Sequence, residues 1–305
     1  MTTIRTDETV KDRESYIGGS DAAAILGLSP WRTAYDVYLE KKGEGTQFEE
    51  SEAMSWGNIL EEPVAREFSK RTGKKVHKVN ALLRRKEMPW MGAHLDRRVV
   101  GENAILEVKT SGRRDGWGES GTDDLPDQYL CQVLHYLAVT GAEVAYVAAL
   151  LCGQELRIYT VPRRDDLIEA IEAKEMEFWS CHVLPDEPPD VSNAADAARA
   201  WRAERGKIEV ASEEVIQDLK TLRVVREQID EMKAEKERLE LGIKTFMETA
   251  DTLVDVDGAP LVTWKESVSR RLDTKAFKAE HADLYEFFSD ESVSRRFLLK
   301  KQRGE

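Results

Sequence analysis

Residues Ala104 to Thr110 read AILEVKT, an apolar strand carrying two charges, Glu107 and Lys109, two positions apart. Side chains alternate along a strand, so Ile105, Glu107 and Lys109 share one face while Leu106 and Val108 point into the core. Apolar strands rarely place two charges on one face without a reason. Met91 to Val100 reads as a second strand, and Gly101-Glu102-Asn103 joins the two as a hairpin. That pairing brings Asp96 alongside Glu107. Two carboxylates with a main-chain carbonyl, that of Val108, make an oxygen-rich site suited to Mg²⁺, with Mn²⁺ as a substitute. Such a cation polarises a phosphate, and Lys109 can position or deprotonate a water or neutralise developing charge. The plainer alternative is a surface ion pair between Glu107 and Lys109, worth about 0–1 kcal/mol.

The charge around this hairpin differs from that of the chain. The 305 residues carry a formal net charge of −13, which argues against a protein that coats nucleic acid. Residues 70–116, however, are net +8, between net −7 in residues 1–69 and net −11 in residues 117–190. An acidic chain around one basic segment disfavours non-specific coating of nucleic acid yet leaves that segment able to attract a phosphate. Three cysteines (Cys131, Cys152 and Cys181) exclude a disulfide framework and a four-cysteine metal site, and suggest a reducing cytosol. No apolar run reaches the ~18–20 residues of a membrane span. The polar opening MTTIRTDETVKDRESY lacks a signal-peptide core, so a cytoplasmic location is expected. There is no P-loop, hence no NTP-driven motor.

Periodicity and punctuation place the other elements. Gly18-Gly19-Ser20-Asp21 opens a helix stopped at Gly27, and a second runs through YDVYLEKKG to Gly43. Trp56-Gly57 precedes a third, ILEEPVAREFSKRTG. Pro126 to Thr140 is helical, Val144–Leu151 and Glu155–Val161 are strands around Gly153-Gln154, and Arg163–Cys181 is a helix. Residues 1–184 are therefore expected to form one domain and 185–211, with Pro185, Pro188 and Pro189, a linker. In residues 212–305, Val225, Ile229, Met232, Leu239, Ile243 and Phe246 follow 4,3 spacing, as in a coiled coil or a helix packed on the domain. A β-hairpin over 253–264 and a basic tail with Ser269–Arg271, Ser294–Arg296 and Lys300-Lys301 complete this extension.

Four ordered segments carry a family resemblance: IGGSDAAAILGLSPWRTAYDVYLEKKG, WGNILEEPVAREF, MGAHLD…ILEVKTS and YLCQVLHYLAVTG. Over roughly residues 13–180 the chain resembles the YqaJ-type viral recombinases, lambda-exonuclease-like nucleases of the PD-(D/E)xK superfamily. The resemblance implies an α/β (α+β) fold, a mixed β-sheet flanked by helices. It also implies Mg²⁺-dependent, ATP-independent 5′-to-3′ digestion of one strand of duplex DNA from its ends, usually by a ring-shaped trimer. The product is a 3′ single-stranded tail for a phage annealing protein, so a phage or prophage origin in a bacterial host is expected. By the same resemblance Asp96 and Glu107 are metal ligands, Lys109 the catalytic lysine, Glu61 a further acid of the site, and Gln132 a positioning group. Arg13 and Ser20 match the holders of the 5′-terminal phosphate; an arginine beside a glycine-rich helix start suits an anion.

Departures and minor signals complete the expectations. Relatives often have glycine after the first ligand, whereas this chain has Arg97-Arg98, and Arg97 is a candidate phosphate contact. Arg113 and Arg114, in a loop with Gly112, Gly116 and Gly118, are candidate backbone contacts, and Trp117 a candidate base-stacking group. Arg84-Arg85-Lys86 is a further candidate for phosphate. His94 could be a ligand but shares the face of Asp96 mainly by default, and His135 and Tyr136 suit a half-buried helix face. Competing with the exonuclease are an endonuclease or flap nuclease on the same fold, and a DNA-end-binding assembly protein with a vestigial site.

Overall fold

The computed structural model describes residues 3–6, 10–45, 51–201, 204, 206–289 and 295–300. The described chain forms two compact units, residues 1–201 and 202–305. In the first, β1 (Thr3–Thr6) and a 3-10 segment (Val10–Ser15) lead to α1 (Gly19–Ile25), α2 (Ala34–Lys41) and α3 (Glu52–Thr72). Strands β2 (Val76–Lys78), β3 (Leu82–Arg85), β4 (Gly92–Ala93), β5 (Arg97–Val99) and β6 (Ala104–Ser111) follow. Then come α4 (Asp127–Thr140), β7 (Val144–Leu151), β8 (Glu155–Pro162), α5 (Asp165–Phe178), a π-helical turn (Trp179–Val183) and α6 (Ala194–Ala200).

A five-stranded mixed sheet in the order β2-β5-β6-β7-β8 carries the unit. β6 lies at its centre, antiparallel to β5 and parallel to β7 over the full run from Ala104↔Val144 to Ser111↔Leu151. Parallel neighbours need a crossover, and α4 supplies it. Its Val133, Leu134, Leu137 and Ala138 are buried with Ile105 of β6 and Ala145, Val147 and Ala149 of β7. On the opposite face Val64, Ala65 and Phe68 of α3 pack on Leu106, Val108 and Ala148. Both faces of β6 are thus covered, and truncating a side chain such as Leu137 to alanine costs about 2–5 kcal/mol.

The expected strand Met91–Val100 divides. β4 pairs with β3 in a separate three-stranded sheet, β1-β3-β4, and β5 joins the main sheet. Asp96 lies where the chain passes from one sheet to the other. Gly92 marks the first half, because a Cβ there would meet the Tyr16 ring at 2.5 Å. α3 also begins earlier than the pattern suggests, at Glu52. The Ser51 hydroxyl accepts from Met54 N–H at 3.3 Å, so Trp56 and Gly57 lie inside the helix.

The proline-rich segment is not where the first unit ends. Asp186 accepts from the Tyr38 hydroxyl at 2.8 Å and pairs with Lys42 at 2.9 Å. Asn193 caps α6, the fully buried Asp196 accepts from Thr33, and Arg199 reaches Asp36 on α2. Prolines here stiffen a strap that folds back onto α2, and the boundary between units falls after Trp201.

The second unit contains α7 (Glu213–Met247), the hairpin β9 (Thr252–Val254) and β10 (Pro260–Thr263), α8 (Thr274–Glu280) and α9 (Ala282–Phe287). The Ser212 hydroxyl caps α7. Val225, Ile229, Met232, Leu239, Ile243 and Phe246 of α7 are exposed. In the basic tail, Ser294 and Lys301 lie outside the described residues, and Arg223 of α7 donates to the Lys300 carbonyl at 3.2 Å. No helix among the described residues is long and apolar enough to cross a membrane.

Candidate active site

The pairing of β5 with β6 ends at Arg97↔Leu106, so the next residue back, Asp96, is free to turn its side chain toward β6. Asp96 Oδ2 accepts from the Val108 N–H at 2.8 Å. The N–H and C=O of one strand residue leave the strand on the same side, so the Val108 carbonyl is directed to the side occupied by Asp96. Burial pushes the Asp96 carboxyl above the ordinary aspartate value, against the pull of Lys109 and of the Val108 N–H.

Glu107 lies on the α4 face of β6. Its Oε1 accepts from Lys109 Nζ at 2.7 Å and from Gln132 Nε2 at 2.9 Å. Its Oε2 is buried with no hydrogen-bond partner. Burial, and then the nearby Asp96 charge, push this carboxyl up to about 8. An orphaned carboxylate oxygen beside a second carboxylate and a carbonyl is a donor set that fits a hard divalent cation. Among the described residues no three His, Cys, Asp or Glu side chains converge, so waters or substrate oxygens would complete such a shell, as is usual for Mg²⁺.

Gln132 uses its second N–H on the Tyr136 hydroxyl at 2.9 Å. Gly19 lets α1 press on this pair, since a Cβ there would lie 2.7 Å from the Tyr136 ring and 2.8 Å from Gln132 Cγ. Burial works against the charge on Lys109, but the Glu107 and Asp96 carboxylates more than offset it, holding Nζ above the ordinary lysine value. The ammonium also lies 5.2 Å from the centroid of the Tyr129 ring, a cation–π contact.

Arg97 is not an exposed phosphate contact. Its buried guanidinium donates to the Asp96 carbonyl at 2.7 Å, to Glu62 at 2.8 Å, and to Glu61. Strand alternation turns it toward α3, where two adjacent acids capture it. Glu61 is thereby held in an ion pair beside the site, close enough for its charge to raise the Asp96 and Glu107 carboxyls.

Arg13 and Ser20 flank a charge cluster at the start of α1. Fully buried Asp21 accepts from Arg13 at 3.0 Å, Arg32 at 2.8 Å and Lys41 at 2.9 Å. The same three cations hold Glu40, at 3.0, 2.7 and 3.1 Å. Three cations against two carboxylates make a net positive cluster in which Lys41 is fully buried and Arg13 and Arg32 are partly exposed, with Ser20 exposed beside it. Sequence reasoning missed Asp21, Arg32, Glu40 and Lys41 in this role. The only available signal was the position of Asp21 at the third residue of a capped helix.

The remaining candidates scatter. Arg113 is exposed, and Arg114 pairs with Glu155 at 3.0 Å. Trp117 is buried, stacked on Tyr129 at 5.2 Å and tilted against Tyr159, so it cannot receive a base. His94 lies edge-on to Tyr16 rather than with the carboxylates; burial, Arg13 and Arg84 depress its titration. Arg84 donates to the Ser15 and Pro89 carbonyls, and Arg85 pairs with Glu172. His135 is fully buried, not half-buried, between Glu175 at 2.7 Å and the Gly92 carbonyl at 2.8 Å.

A family described as the YqaJ-like viral recombinase domain matches residues 9–143. Uncharacterized protein YqaJ of Bacillus subtilis (strain 168) is 38% identical over 306 residues, 97% of this chain and 94% of that one. Among solved structures, an alkaline exonuclease from Laribacter hongkongensis is 17% identical, covering 57% of this chain and 91% of its own, with a TM-score of 0.45. A phage related exonuclease from Haemophilus somnus 129PT is 16% identical, covering 55% and 93%, with a TM-score of 0.42.

Proposed function

Because the chain belongs to the YqaJ-like viral recombinase family, we propose that it is a metal-dependent, ATP-independent 5′-to-3′ exonuclease of double-stranded DNA. It leaves 3′ single-stranded tails for strand annealing in phage-type recombination. One observation carries this proposal: the unpartnered Glu107 Oε2 beside Asp96, with Lys109 on the same carboxylate.

Asp96, Glu107 and the Val108 carbonyl would hold Mg²⁺, or Mn²⁺ in its place. When bound, the cation supplies positive charge to the scissile phosphate and lowers the pKa of a water. Gln132 and Lys109 fix the Glu107 carboxylate from two directions, so its rotamer is set before substrate arrives. Lys109 stays protonated and offers its ammonium to charge developing on the phosphate oxygens. Arg97 holds the Asp96 main chain, and Glu61 acts by locking Arg97. Arg13 and Arg32, partly exposed above buried Asp21, offer their guanidinium groups to a 5′-terminal phosphate, with Ser20 beside them, while the fully buried Lys41 holds Asp21 and Glu40 from within. A contact to the terminal phosphate favours an exonuclease, which starts from a strand end, over an endonuclease or flap-cutting enzyme, which cleaves away from it. The exposed apolar stripe of α7 suits self-association, a trimer by family resemblance, or an annealing-protein partner.

The test is digestion of linear duplex DNA, labelled at the 5′ or the 3′ end, with and without Mg²⁺. Release of 5′ label only with the cation, and loss of at least about 100-fold in rate in Lys109→Ala, are expected. Equal cutting of closed circular DNA, or robust digestion by Lys109→Ala or Asp96→Asn, would overturn it.

A further inference from the structure

The loop between α1 and α2 exposes a side chain that no role above uses. Trp31 is 68% exposed, unusual for so large an apolar ring. Its ring lies 6.2 Å from that of Tyr129. Tyr129 stacks in turn on buried Trp117 and carries Lys109 Nζ 5.2 Å from its centroid. Trp31 is therefore the solvent end of an aromatic column whose middle ring touches the candidate catalytic lysine. The next residue, Arg32, reaches Asp21 and Glu40 in the charge cluster at the start of α1. One dipeptide thus joins the charge cluster of Asp21 to the neighbourhood of Lys109.

The loop is firmly built. The N–H groups of Leu28 and Ser29 both donate to the Ala23 carbonyl, at 2.9 and 3.1 Å. The Ser29 hydroxyl accepts from the N–H groups of Trp31 and Arg32. Thr33 and Asp36 close a capping box on α2. A ring on so braced a loop is set before any ligand arrives, so stacking on it costs little ordering entropy.

We propose that Trp31 is a stacking platform for an unpaired nucleobase of the strand being processed at Lys109. The inference rests on the site being a DNA nuclease. The chemistry it selects is the π-face common to all bases, so the contact is sequence-tolerant. Cations for the flanking phosphates lie on both sides, Arg32 in the charge cluster and Lys109 at the carboxylates. The exposed ring adds little to the core, so its removal should leave folding intact.

The experiment measures binding of 5′-phosphorylated DNA to the full chain in EDTA, by fluorescence anisotropy, so no cutting intervenes. A single abasic residue is walked inward from the 5′ end. Trp31→Ala should weaken binding about tenfold, with an unchanged melting temperature, and Trp31→Phe should recover most of the loss. At one position the abasic residue should weaken binding to the wild type similarly, and should cost Trp31→Ala nothing further. Wild-type affinity in Trp31→Ala, or losses that multiply at every position, overturns the proposal. Failure of the nuclease reading shows separately, as wild-type chain that binds this DNA yet releases no label with Mg²⁺. Absence of wild-type binding overturns both.

Discussion

Gln132, on α4, donates through Nε2 to Oε1 of Glu107, on β6, at 2.9 Å. The carboxylate is gripped on that oxygen by a neighbouring helix and by Lys109 of its own strand, which leaves Oε2 as the buried atom without a partner. Such an atom costs about 1–3 kcal/mol or more, larger for a charged group. The fold therefore maintains a local instability that a bound cation, as proposed, would relieve.

A divalent cation should accordingly stabilise the wild-type chain and fail to stabilise Asp96→Asn. At a hundredfold over its dissociation constant, Mg²⁺ or Mn²⁺ adds about 2.7 kcal/mol to unfolding, read as a shift in thermal melting. Glu107 titrates near 8 when no cation offsets its charge. The folded carboxyl then keeps a proton that the unfolded one loses, and cation-free stability falls as pH rises from the ordinary glutamate value to about 8. Cations bind only the ionised form, so the Mg²⁺-induced shift should grow between pH 6 and pH 8, taken as roughly these values. An equal shift in Asp96→Asn would contradict the site.

Arg97→Ala should act on stability rather than on phosphate contact. The substitution leaves Glu61 with Lys78 at 3.8 Å and Glu62 with Arg66 at 2.9 Å, and removes the buried donors to the Asp96 carbonyl and Glu61, a loss on the order of 1–2 kcal/mol. Urea midpoints measure the loss. The slope of log DNA affinity against log salt should stay unchanged, whereas removing a phosphate contact lowers it by about one.

The His135–Glu175 pair gives the fold a second pH dependence. Burial opposes a charge on His135, but Glu175 at 2.7 Å more than offsets it and raises its titration above the ordinary histidine value. Burial also raises Glu175, so the pair keeps its shared proton. This stability is fully present below about pH 6.5 and is lost as pH rises through the folded value. Denaturant melts across that range should show the decline, and His135→Ala should flatten it while lowering stability at every pH.

Truncation after Trp201 should leave the first unit folded, and truncation after Pro189 should not leave it intact. The shorter chain loses α6 and with it the Asp196–Thr33 and Arg199–Asp36 bonds. A difference on the order of 2–4 kcal/mol in urea unfolding, at about 1 kcal/mol per hydrogen bond and somewhat more for charged groups, is expected between them. Equal stabilities would restore the boundary to the proline-rich segment.

Much of this was legible because it depends on neighbours in the chain. Alternation along AILEVKT puts Glu107 and Lys109 on one face, and Gly101 at φ +81° closes the hairpin toward Asp96. Glycine stops at Gly73 and Gly141 end α3 and α4 where the pattern places them. Local rules misled where a longer-range partner prevailed. Arg97 looks exposed until α3 presents Glu61 and Glu62, and Trp117 looks like a loop aromatic until Tyr129 and Tyr159 enclose it.

The sequence by itself determined the strand, its two charges and the acid before them, because side-chain alternation and turn chemistry act within a few residues. Only the tertiary structure decided which Glu107 oxygen is left bare, that Asp21 gathers Arg13, Arg32 and Lys41, and that Trp31 lies tilted beside Tyr129. Each of those depends on atoms brought together from separate elements, where burial strengthens charge interactions that water would screen.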